Sequence, residues 1–86
     1  MNTSEMNRRA VAVLEDWDPF AIGSELYGTE IEKVIVQLHV LDHPSELAKQ
    51  IQSIYEISFD KWIPLEQCVE ISYKLIAFKY EAKHII

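Results

Sequence analysis

The chain has 86 residues, is 49% hydrophobic and 26% charged, and carries a formal net charge of −6. One domain is expected at this length, and the apolar content belongs to a globular chain, not a disordered one. The acidic balance excludes a sequence-independent grip on nucleic acid, which needs clustered Lys and Arg. The single cysteine, Cys68, excludes an intrachain disulfide. Two glycines and three prolines are too few for the turns of an all-β sandwich. No apolar run approaches the ~18 residues of a membrane span. Behind Arg8 and Arg9 only residues 10–14 are apolar before Glu15 and Asp16, which is not a signal-peptide pattern. A soluble cytoplasmic protein is expected, with one domain over residues 1–86 and a core over roughly 4–80.

In chain order, Met6, Ala10, Val13, Leu14 and Trp17 recur at three and four and predict an amphipathic first helix. Asn2, Thr3 or Ser4 can cap its start. Pro19 ends it near Trp17. Asp18 as a cap and Pro19 behind it predict one tight turn over residues 19–22, closed by Gly23. Residues 18–28, which hold both glycines, form the main irregular segment.

The second helix starts at Thr29 or slightly earlier, because Thr29-Glu30-Ile31-Glu32 has the form of a capping box. Ile31, Val34, Ile35, Leu38 and Leu41 or Asp42 fill its inner face. Residues 33–40 are rich in β-branched side chains, yet the wider period favours helix. Pro44 opens a third helix with Leu47, Ala48, Ile51, Ile54, Tyr55 and Phe59 inward. Pro64 opens a fourth, with Leu65, Cys68, Val69, Ser72, Leu75 and Ile76 inward. Ile85 and Ile86 are expected to dock on the body or on a partner. The expected fold is all-α: a compact array of four antiparallel amphipathic helices with one short helical turn between helices 1 and 2.

Residues 15–32 hold six acids (Glu15, Asp16, Asp18, Glu25, Glu30, Glu32), no Lys or Arg, and the aromatics Trp17, Phe20 and Tyr27. Residues 1–43 carry eight acids against three bases, whereas residues 44–86 carry six against five. The negative charge is therefore concentrated around one connection. Two readings of it stand. In one, Trp17, Asp18, Phe20, Glu25 and Tyr27 form a contact surface for a basic partner, with carboxylates steering and aromatics holding. In the other, the aromatics plug one end of the bundle and the acids cap helix starts.

His39 and His43 stand four apart beside Asp42, a spacing that can hold a metal, but no third ligand is near and Pro44 interrupts the helix. Cys68 lies in an apolar stripe next to Glu66, Gln67 and Glu70, which disfavours a thiolate and points to core packing. Lys74, Lys79 and Lys83 are read as a solvated basic stripe on the last helix, with His84 beside it, the alternative being salt links between subunits. Neither a phosphate loop nor a nucleophile motif is present. No catalytic, cofactor-binding or metal-binding residues and no cofactor are expected.

The motifs Trp17-Asp18-Pro19-Phe20 with Gly23, Tyr27 with Glu30-Ile31, Leu47-Ala48, Ile54-Tyr55, Ser58-Phe59, Ile63-Pro64 and Cys68 resemble a small YugE-like family of bacillus-type proteins of unknown function. The resemblance spans roughly residues 10 to 77 and rests most on the Trp-Asp-Pro element with its following Gly and Tyr. It implies a compact all-helical fold and a bacterial, cytoplasmic setting, and brings no reaction, cofactor or partner. The expected function is a small acidic, non-catalytic interaction or regulatory protein that binds another protein or itself. The alternatives are an immunity-type inhibitor of a basic toxin or nuclease and, further off, a small enzyme or metal-binding protein.

Overall fold

The computed structural model describes residues 3–83, and the expectations placed on Asn2, His84, Ile85 and Ile86 lie outside the described residues. Four α-helices follow one another: α1 (Thr3–Trp17), α2 (Gly28–Val40), α3 (Pro44–Phe59) and α4 (Leu65–Lys83), with a 3-10 turn at Ser24–Tyr27 ahead of α2. No strand occurs among the described residues, and residues 33–40 are helical. α3 packs on α4 and α2, and α1 packs on α4 and α2. Short connections impose this antiparallel order.

The core follows the helical period. Met6, Ala10 and Leu14 of α1, Ile31, Val34 and Leu38 of α2, and Leu47, Ala48, Ile51 and Tyr55 of α3 are buried. α4 adds Cys68, Ile71, Ser72, Leu75 and Ile76. Each fully buried aliphatic side chain contributes about 1.5–3 kcal/mol over its exposed state. Leu65, expected inward, is 40% exposed in the first turn of α4, and Ile71 occupies the inner face instead. Val36 and Val40, at 60% and 68% exposure, point away from the core, on the outer side of α2 with Lys33 and His39.

Helix boundaries have local causes. Pro44 stands at the first turn of α3, behind an extended His43, where its missing N–H is not needed. α3 stops at Asp60, whose left-handed backbone (φ 54°) lets its N–H reach the Glu56 carbonyl at 2.8 Å. The capping box expected at Thr29 is not formed. α2 begins at Gly28 with Tyr27 at its cap position and no side-chain cap. The 3-10 turn runs straight into the helix and the buried Tyr27 fixes its start, while Glu30 is itself buried.

Lys79 corrects the reading of a solvated basic stripe. It is buried, and its ammonium donates to the Leu41 carbonyl at 2.8 Å and pairs with Asp42 Oδ1 at 2.9 Å. The cause is the end of α2. Leu41 is extended, so its carbonyl has no helical N–H to accept from, and a buried ammonium requires such acceptors. The Tyr80 hydroxyl donates to the Asp42 carbonyl at 3.4 Å nearby. Lys79→Met keeps the alkyl stem and removes the ammonium. It should lower the unfolding free energy in urea by about 1–3 kcal/mol, and a loss under about 0.5 kcal/mol would show that this clasp is unimportant.

Candidate functional site

Residues 18–27 connect α1 to α2, and three of them have positive φ: Asp18 at 33°, Ala21 at 55° and Gly23 at 101°. Pro19 bars Asp18 from helical backbone, and Asp tolerates the left-handed region better than most residues. The chain doubles back: the Ala21 N–H donates to the Asp18 carbonyl at 3.1 Å, and the Leu26 N–H to the Gly23 carbonyl at 3.3 Å. The tight turn expected over residues 19–22 thus forms at 18–21. The 3-10 turn comes after it, at Ser24–Tyr27.

One carboxylate organises the segment. Asp18 accepts the Ile22 N–H at 3.0 Å, the Gly23 N–H at 3.2 Å and the Tyr27 hydroxyl at 2.6 Å. That hydroxyl in turn accepts the Phe20 N–H at 3.1 Å. The Tyr27 hydrogen bond, aided by backbone N–H groups and opposed by desolvation, holds the Asp18 carboxyl below its ordinary value of 3.8. Burial, then the hydrogen bond to the Asp18 carboxylate, pushes the Tyr27 phenol up to about 12.

The same connection is pressed into the core by aromatic packing. Tyr55 of α3 meets Trp17 edge-on at 5.5 Å and Tyr27 at 5.6 Å between ring centroids. Phe59, one turn on, meets Phe20 at 5.3 Å and Tyr27 at 5.4 Å. Such pairs contribute about 0.5–1.5 kcal/mol each beyond the area they bury. The Lys61 ammonium lies 5.8 Å from the centre of the Phe20 ring and links the α3–α4 loop to this end of the bundle. Burial also raises the Tyr55 phenol far above its ordinary value.

Trp17, Phe20 and Tyr27, singled out in the sequence, therefore come together around Tyr55 and Phe59, which had read only as core positions of α3. Their i, i+4 aromatic spacing was the available signal. Trp17 and Phe20 are half-buried, Tyr27 is fully buried, and the Asp18 carboxylate is engaged within the connection. Glu25 lies outside this cluster. It is exposed beside Leu26, which is 56% exposed. Glu15, Asp16, Glu25 and Glu32 are exposed and form no ion pair among the described residues.

Trp17 also helps line a groove between α1 and α4 of about 210 Å³, together with Val13, Asp16, Ile71 and Lys74. His39 and His43 do not share a helical face, because α2 ends at Val40. The His39 ring instead bonds Asn7 Oδ1 at 2.8 Å. No cluster of three or more His, Cys, Asp or Glu side chains able to hold a metal occurs among the described residues. Cys68 is buried, and that burial raises its thiol to about 11, which keeps it protonated and unreactive at neutral pH. No helix among the described residues is long and apolar enough to cross a membrane.

Fold and site together define a small helical domain whose one irregular connection is bonded into its core. The chain belongs to the family described as a domain of unknown function, DUF1871, whose model matches residues 9–85. It is 35% identical over 79 residues to the uncharacterized protein YugE of Bacillus subtilis strain 168, covering 92% of each chain. Its fold matches the crystal structure of APC36109 from Bacillus stearothermophilus with a TM-score of 0.88 at 33% identity, over 92% of this chain and 98% of that one.

The Asp18–Tyr27 bond sets a pH dependence at both extremes. As pH falls, the unfolded chain takes up the Asp18 proton first. The stability from Asp18 is therefore complete above the ordinary carboxylate value of 3.8 and is lost as pH drops through the lower folded value. Tyr27 has the opposite sign: its contribution is complete below 10 and is lost as pH rises through about 12. Tyr27→Phe should lower stability at neutral pH by about 1–3 kcal/mol. It should also flatten both limbs of a Tm-versus-pH curve; unchanged limbs would refute this assignment. Gly23→Ala places a side chain at φ 101° and should lose about 1–3 kcal/mol in urea unfolding, with helicity retained.

Proposed function

We propose that this chain is a non-catalytic interaction protein that binds a basic partner protein through the outer side of the α1–α2 connection. The observation that carries this reading is a division of labour within the connection. Asp18, Tyr27 and the half-buried aromatics hold it in one conformation, while Glu25 and Leu26 are exposed on the 3-10 turn. The carboxylates of Glu15 and Glu25, with no ion pair among the described residues, supply a negative field for steering. A pre-ordered loop loses little entropy on binding, and Leu26 is exposed beside the Glu25 carboxylate. The protonated Cys68 thiol and the fully hydrogen-bonded Asp18 carboxylate favour binding over catalysis.

The test is affinity capture from the native host with wild type and with the double variant Glu25→Lys/Leu26→Ala. Both positions are exposed, so the circular dichroism of the variant should match wild type. Wild type should retain a basic protein whose capture weakens as salt rises and drops at least about tenfold in the variant. Equal capture by both chains, or a captured protein that is acidic and insensitive to salt, would defeat the reading.

A further inference from the structure

The α1–α4 groove poses a separate problem of charge. Its floor is apolar, from Val13, Trp17 and Ile71, and its two charged walls are Asp16 and Lys74. Both charged side chains are exposed, and they form no ion pair with each other or with any described residue. A purely cationic guest would meet Asp16 but be repelled by Lys74, and a purely anionic guest would meet the reverse. An occupant that satisfies both walls must carry both signs of charge at a matching separation. A second copy of this chain has that property by construction, because a twofold interface makes residue i of one copy meet residue j of the other, and the converse.

We infer that the groove is a self-association surface, in which each copy places its Lys74 in the groove of the other and against that copy's Asp16. The four-carbon lysine stem would lie along Val13 and Ile71, with its ammonium passing the Trp17 ring before it meets the carboxylate. The two reciprocal pairs are exposed and screened by solvent, so the dimer is weak and salt-sensitive. This surface uses neither Glu25 nor Leu26, so its failure leaves the partner-binding reading untouched, and the reverse holds as well.

Sedimentation equilibrium on the full chain tests the inference, at protein concentrations from about 10 μM to 1 mM in about 20 mM and 500 mM salt. The weight-average mass should rise toward twice the monomer value with concentration in low salt and fall back in high salt. Asp16→Lys and Lys74→Asp should each abolish that rise, and Asp16→Lys/Lys74→Asp together should restore it, because the double exchange re-creates both pairs. Asp16→Asn and Lys74→Gln, which add no repulsion, should each weaken the dimer and serve if a charge reversal unfolds the chain. A monomer under all conditions overturns the inference. So does a dimer that survives both single reversals, or a double variant that stays monomeric. A monomeric wild type whose Trp17 indole resonance shifts with a free apolar amino acid overturns it in favour of a small zwitterionic ligand.

Discussion

The Tyr27 hydroxyl stands between the irregular segment of the chain and its core. It donates to Asp18 and accepts from the Phe20 amide, while its ring lies against Tyr55 and Phe59. A connection with three positive-φ residues carries about 1–3 kcal/mol of strain at each non-glycine position and holds one conformation only if its surroundings over-determine it. Here the over-determination is explicit. One carboxylate takes two backbone amides and a phenol, and the phenol takes a third amide. Because the ring is wholly buried, the Tyr27 hydroxyl cannot turn out to water without opening the aromatic cluster.

The two ends of the bundle solve the same problem with opposite charges. Where α1 passes to α2, a carboxylate satisfies free amides. Where α2 passes to α3, the Lys79 ammonium satisfies the free carbonyl of Leu41 and meets Asp42. The second follows from the rule that a helix end leaves carbonyls unpaired, whereas the first serves the loop amides of Ile22 and Gly23 ahead of the 3-10 turn. The Lys79 clasp joins α4 to the end of α2, whereas the Asp18–Tyr27 bond closes the connection on itself. Glu15, Asp16, Glu25 and Glu32 lie outside these clasps, exposed and without an ion pair among the described residues.

The fold was legible because each helix repeats its apolar residues at the helical period and because α1, α3 and α4 begin or end beside a proline or a residue of left-handed backbone. Met6–Ala10–Leu14 and Leu47–Ile51–Tyr55 define inward faces whatever they pack against, and all six are buried. Local start signals were less dependable. Thr29 and Glu30 have the capping-box pattern, yet Tyr27 is drawn into the core and starts α2 before that box can form. Glu25 and Asp18 looked alike as acids of one cluster, and only the backbone reversal separates a structural carboxylate from an exposed one.

The sequence by itself determined an all-helical chain of four amphipathic segments, its family, and the position of its one irregular link, because these depend on local periodicity and on proline and glycine geometry. Which polar groups are buried was decided only by the tertiary structure. Lys79 and Lys74 are near neighbours on α4 with the same side chain, yet one is enclosed against the end of α2 and the other lies at an open groove. The role of each charge depends on what the neighbouring helix presents, and that is a property of packing between segments distant in sequence.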